Sequence, residues 1–99
     1  MKRDKADAEF SNMIRARDGW TCQRCGKRYP ERAQGLHAAH IFSRGRKSVR
    51  WDEVNAVALC FSCHLWAHGN PTLFAEWIMK RLGKRRYEAL RRRAEAVAK

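Results

Sequence analysis

Two Cys-x-x-Cys pairs, two short apolar runs between them and stretches of helical periodicity on either side predict a small α+β fold. In this fold a strand pair and a short helix are stapled by a four-cysteine metal site, with one N-terminal and two C-terminal helices flanking them. Ninety-nine residues suit a single domain. It divides into an N-terminal helix (1–17), a stapled core (18–69) and a basic helical extension (70–99). A chain this short is only modestly stable on apolar burial alone. Large apolar side chains are sparse at 24–35 and 43–49, so those segments need a further source of order, and a metal supplies one.

Each element has its own signal. From Lys2 to Arg17 the residues Ala6, Phe10, Met13 and Ile14 recur at helical spacing among charges, and Asp18-Gly19 closes the helix. WTCQRCGKR, from Trp20 to Arg28, reads as a metal knuckle, with Gly26 where the turn needs positive φ. Tyr29 to Gly35 is a loop. Leu36 to Phe42 and Ala56 to Leu59 read as strands, and the polar SRGRKSVR between them is a turn-containing loop around Gly45. Phe61 to His68 reads as a two-turn helix closed by Gly69. Asn70-Pro71 or Thr72 opens the next helix, with Leu73, Phe74, Trp77, Ile78 and Leu82 on its buried face and Gly83 after it. The last helix carries Tyr87, Leu90, Ala94 and Val97 as its stripe. Trp51, Trp66 and Trp77 are expected in the core.

The formal charge is +12, from 22 Lys and Arg against 10 Asp and Glu, which makes a polyanion the natural partner. Much of the excess lies beyond Met79, where Lys80, Arg81, Lys84, Arg85, Arg86, Arg91, Arg92, Arg93 and Lys99 face only Glu88 and Glu95. That run suits either a solvated face or phosphate contact. No apolar run approaches the roughly 18 to 20 residues that cross a bilayer, and MKRDKADAEF has no apolar signal core. A soluble, intracellular protein that binds nucleic acid rather than membrane is expected.

Cys22, Cys25, Cys60 and Cys63 form two knuckles, and four thiolates around one ion are what a closed structural zinc site requires. The absence of a secretion signal argues against two disulfides, and the missing βαβ pattern argues against a redox dithiol. Pairing Cys22 and Cys25 with His64 and His68 would strand Cys60 and Cys63 and stretch the linker far beyond that of a finger. The histidines are then available for other work. Helical geometry places His64 and His68 on one face, with Cys63 turned about 100° away, so one short helix can serve two metals.

His40 precedes Asn55 by fifteen residues, Asn55 precedes His64 by nine, and His64 precedes His68 by four. With RDGWTCQRCG, HAAHIFSRGR and VNAVALCFSCH, this spacing resembles the HNH endonucleases of the ββα-metal (His-Me finger) family, in their zinc-ribbon form. The SRG after the histidine strand and the following RWDEVN look like small phage and prophage members, including recombination endonucleases. The likeness spans about Arg17 to His68. It implies a metal-dependent DNA endonuclease with His40 as general base, Asn55 tying down the loop that fixes the base, and His64 as ligand of a divalent cation (Mg²⁺, Mn²⁺ or Ni²⁺). His68 would join that cation or contact the scissile phosphate.

Where the family usually places an acidic or histidine ligand just before the base, this chain has Ala39. His37 shares a strand face with position 39 and could reach the same cation, or point to solvent or phosphate. Arg44, Arg46, Lys47 and Arg50 lie where the family would place the DNA backbone. The C-terminal helices offer a DNA clamp or a homodimer surface. The rival reading is a non-catalytic, zinc-stapled module that binds nucleic acid through the same basic groups.

Overall fold

The computed structural model describes residues 5–43 and 45–96. Lys2, Arg44 and Val97, which carry parts of the expectations above, lie outside the described residues. The element order is α1 (Lys5–Arg17), β1 (Leu36–His40), β2 (Ala56–Cys60), α2 (Phe61–Gly69), α3 (Pro71–Leu82) and α4 (Lys84–Glu95). Short 3₁₀ turns at Lys47–Val49 and Glu53–Asn55 interrupt the connection from β1 to β2. The expected α+β arrangement, a strand pair and helix with one helix before and two after, is the observed one.

The strands pair antiparallel, with Leu36 opposite Cys60 and His40 opposite Ala56. Both α1 and α2 pack on this hairpin. Beneath α2, α3 and the first knuckle lies a core of Leu36, Ala39, Val57, Leu59, Phe74 and Ile78, with Cys22, Cys60 and Cys63. On the other side Phe10 and Ile14 of α1 cover Ala56. The hairpin is thus buried on both faces, which explains why β2 reads as an unbroken apolar run, AVALC, and is buried throughout.

The buried face of α1 differs from the expected stripe. Asp7, Phe10, Ser11, Ile14 and Arg15 face inward, while Ala6 is exposed and Met13 is 41% exposed. Arg15 is held inside by carbonyls, donating to Ala33 O at 2.9 Å and Leu36 O at 3.0 Å and so fastening the loop before β1. Burying such groups is tolerable only because each finds partners. The Ala33 and Leu36 carbonyls lie outside the helix, 18 and 21 residues on, so periodicity could not reveal them.

Gly19 and Trp20 turn the chain after α1 with φ of 65° and 54°, and Gly26 closes the first knuckle at φ 83°. The knuckle is stitched to the hairpin, since Gln23 N donates to Ala58 O at 2.9 Å. The expected stop at Gly69 is displaced by one residue. Gly69 belongs to α2 and Asn70 caps it, because the residue before Pro71 is driven out of the helical region and adopts φ −137°. Leu73, expected on the buried face of α3, is 50% exposed, while Phe74 and Ile78 are buried. Trp51 is 50% exposed rather than a core piece, whereas Trp66 and Trp77 do pack against the core.

The last helix braces the loop between the strands. Leu90 and Ala94 bury Val49. Ser48 Oγ donates to Arg93 O at 2.7 Å, and Arg93 Nε meets Asp52 Oδ2 at 2.7 Å. No helix among the described residues is long and apolar enough to cross a membrane.

Candidate active site and metal centre

The four cysteines converge from two knuckles, and their Sγ atoms all lie within 4.8 Å of one another. Tetrahedral ligands at about 2.3 Å from zinc stand roughly 3.8 Å apart. The Cys25 and Cys60 sulfurs are 3.7 Å apart, so the donor set fits that ion. Each knuckle turns an amide onto its first sulfur, Cys25 N to Cys22 Sγ at 3.5 Å and Cys63 N to Cys60 Sγ at 3.4 Å. Burial raises the Cys22 thiol, but the backbone N–H groups of Cys25, Cys60 and Arg24 outweigh it and bring the thiol down to about 6. Burial dominates at Cys63, which is pushed up to about 12 despite the Arg24 guanidinium beside it. Arg24 also lies over the Trp66 ring at 3.6 Å from its centroid and reaches Cys63 Sγ at 3.5 Å. This packing role was invisible in the knuckle sequence.

His40 ends β1, and His64 and His68 lie one turn apart on α2. All three line one cleft of about 830 Å³, together with Asp7, Phe10, Phe42 and Tyr87. The His64 ring has a neighbour at each nitrogen: its Nδ1 is 2.9 Å from His37 Nδ1 and its Nε2 is 3.2 Å from His68 Nε2. Two imidazole nitrogens at about 2.1 Å from one ion stand roughly 3.0 to 3.4 Å apart, so either pair has the spacing of neighbouring ligands. The two nitrogens of His64 point away from each other, and only the pair with His68 faces the cleft. His37 lies behind His64 with its ring edge-on to Phe61. Ala39 is buried and brings no donor. Burial above all, then the charges His37, His68 and His40 would carry, lowers His64 to about 4. It is therefore a neutral imidazole, the form that binds metal, at any ordinary pH.

Asn55 is fully buried at the end of the 3₁₀ turn that leads into β2. Its Oδ1 accepts from Phe42 N at 2.8 Å, and its Nδ2 donates to Phe42 O at 2.9 Å and Val49 O at 3.0 Å. Two points of the loop that follows His40 are thereby tied to one side chain. His40 Nε2 lies 2.9 Å from Arg50 O, and Phe10 stacks on the His40 ring at 5.7 Å between centroids. A carbonyl can only accept, so Nε2 carries a proton.

Of the basic loop residues, Lys47 is exposed, Arg46 is exposed with Nη1 donating to Ala94 O at 3.2 Å, and Arg50 is ion-paired with Asp7. Asp7 lines the cleft and received no role from sequence. It shares the buried face of α1 with Phe10 and Ile14, and its partners Arg50 and Trp51 lie more than forty residues away.

The sequence model of the HNH endonuclease family matches residues 22–69. No curated protein and no solved structure matches the chain. The matched segment holds both knuckles, both strands and α2, while α1, α3 and α4 lie outside it. From Cys22 to Gly69, this chain therefore carries an HNH endonuclease-family domain whose four cysteines are placed to hold a metal.

Proposed function

We propose that the protein is a metal-dependent DNA endonuclease that hydrolyses phosphodiester bonds, with zinc in the cysteine cluster and a separate divalent cation at the histidines. The observation that carries this reading is the pairing of His40 Nε2 with the Arg50 carbonyl at 2.9 Å in a cleft shared with His64 and His68. With Nε2 committed as donor to the Arg50 carbonyl, Nδ1 is the nitrogen through which His40 would take a proton from an attacking water, the task of a general base.

His64 and His68 would hold the cation (Mg²⁺, Mn²⁺ or Ni²⁺) through their Nε2 atoms. His37 would take part in cation binding only through the opposite edge of His64, or at the expense of the His64–His68 pair. When bound, the cation supplies Lewis-acid stabilisation of negative charge on the phosphate and the departing oxygen. Asn55 serves by keeping the loop after His40 in one conformation. Lys47, Arg46 and Arg44, with the exposed bases of α3 and α4, would meet the DNA backbone as point charges. Arg50 would add its charge to that field while remaining on Asp7.

A specific observation favours the second reading, a zinc-stapled module that binds nucleic acid without cutting it: Ala39 is buried and leaves the cation one donor short. Metal analysis separates the two. Equilibrium dialysis of zinc-loaded protein against Mn²⁺ should yield one Mn²⁺ per chain, lost in His64→Ala, with plasmid nicking that EDTA abolishes. Zinc alone under saturating Mn²⁺, with no nicking, would favour the module.

A further inference from the structure

We propose that Asp7 is a positioning residue for His40, holding in place the peptide whose carbonyl orients the imidazole; this deepens the reading of His40 as the base and rests on it. The carbonyl in question is that of Arg50, and its peptide plane joins Arg50 to Trp51. Asp7 grips the side chains on both sides of that plane. Arg50 Nε donates to Asp7 Oδ1 at 2.9 Å, Arg50 Nη2 pairs with Asp7 Oδ2, and Trp51 Nε1 donates to Asp7 Oδ1 at 3.0 Å. One carboxylate thus fixes two consecutive residues.

The stretch needs such a clamp. Among the described residues between β1 and β2 the regular structure is two short 3₁₀ turns, and the Arg50 amide makes a long bond of 3.4 Å to Lys47 O. Asn55 secures the preceding residue through Val49 O at 3.0 Å, and Asp7 secures Arg50 and Trp51 from the opposite side. The Asp7 side chain is 5% exposed, so its charge is committed to these partners rather than to water. The same helix face supplies Phe10, which stacks on His40 at 5.7 Å. The His40 ring is therefore bounded on one side by α1 directly and on another by a carbonyl that α1 holds. Since α1 lies outside the segment 22–69, the base of this chain is oriented by a helix that the matched domain does not include.

A bidentate ion pair fastening a helix to a loop can also be only structural, so the test needs a readout that stability alone does not move. Full-length, zinc-loaded wild type, Asp7→Asn and Ile78→Val are compared. Ile78→Val is a core truncation at a residue that does not itself line the cleft, and it serves as the control for lost stability. Two quantities are read: the imidazole N–H resonance of His40 in ¹⁵N-histidine NMR, and the kcat and KM of plasmid nicking with Mn²⁺. Asp7→Asn should lose the protected His40 N–H signal and drop kcat about ten- to hundredfold, the scale of a misplaced catalytic group, with KM little changed. Ile78→Val should lower the melting temperature while keeping both the signal and kcat. An Asp7→Asn protein that retains the N–H signal and kcat would overturn the proposal. If His40→Ala nicks as well as wild type, the reading of His40 as base fails, and the N–H signal alone then decides whether Asp7 holds the ring. Should Asp7→Asn not fold, Arg50→Gln, which keeps the carbonyl but breaks the clamp, is read the same way.

Discussion

The side chain of Asn55 and the backbone of Phe42 exchange two hydrogen bonds, 2.8 Å from Phe42 N to Oδ1 and 2.9 Å from Nδ2 to Phe42 O. A side-chain amide stands in there for a strand neighbour and continues the ladder one step past His40. Its third bond, to Val49 O, spans the loop from the inside.

Asn55→Ala should therefore be costly, because it leaves buried backbone groups of Phe42 and Val49 without partners. Three bonds are lost at about 1 kcal/mol each, and desolvation of the orphaned groups adds to this, so a loss of at least about 3 kcal/mol is expected. Urea unfolding of the zinc-loaded protein measures it. Asn55→Asp should be no better, since a carboxylate cannot donate to the two carbonyls.

Removing zinc should unfold the chain. Apparent binding of about 10 kcal/mol in zinc-finger peptides is comparable with the whole stability of a domain this size. Circular dichroism before and after exhaustive chelation, with metal content verified, should show loss of helix and its recovery when zinc is returned. Cys60→Ser should behave like chelated protein, since Cys60 both caps α2 through Cys63 N and belongs to the sulfur cluster.

His64 should stay neutral well into the acid range when the cation site is empty. Its imidazole lies below the ordinary value, at about 4, chiefly through burial, so the unfolded chain binds its proton more readily than the folded one. Folded stability from this group is then full above about pH 6.5 and is lost as pH falls from there toward 4. ¹H NMR titration of zinc-loaded protein in buffer without divalent cation should place the His64 midpoint below that of a free histidine. A midpoint at or above 6.5 would contradict the burial described here.

DNA affinity should fall steeply with salt, and the slope should report individual phosphate contacts. Lys47→Gln should reduce the slope of log K against log[salt] by about 1, if it meets one phosphate, and weaken binding similarly for different sequences. Fluorescence anisotropy across a salt series on two unrelated duplexes provides the measurement.

Local chemistry made much of this legible in the sequence. The knuckles were readable because thiolate ligation demands a spacing, and α2 because His64, His68 and Cys63 follow helical geometry around a ligand set. The strand pair was readable because a doubly buried hairpin has an apolar signature. What escaped were the long-range polar contacts. Asp7 and Arg15 occupy positions where periodicity expects apolar groups, and their partners at Arg50, Trp51, Ala33 and Leu36 become visible only once α1 lies across the hairpin. The His37–His64 contact escaped for the same reason. A shared strand face offers His37 as a ligand in place of position 39, and in the structure its Nδ1 lies 2.9 Å from His64 Nδ1, the opposite ring nitrogen from the one that meets His68. Trp51 was misjudged because a large aromatic usually seeks the core, while here its indole N–H reaches Asp7 and half the ring remains exposed.

The central claim is that His40 is the base of a metal-dependent nuclease, and single-turnover cleavage of supercoiled plasmid DNA under excess protein with Mn²⁺ tests it most directly. Wild type should nick the plasmid. His40→Ala, at equal zinc content and equal DNA occupancy, should be slower by at least about 10²-fold, the lower bound of a general-base contribution. Cleavage by His40→Ala at the wild-type rate, in preparations free of contaminating nuclease, would contradict the account.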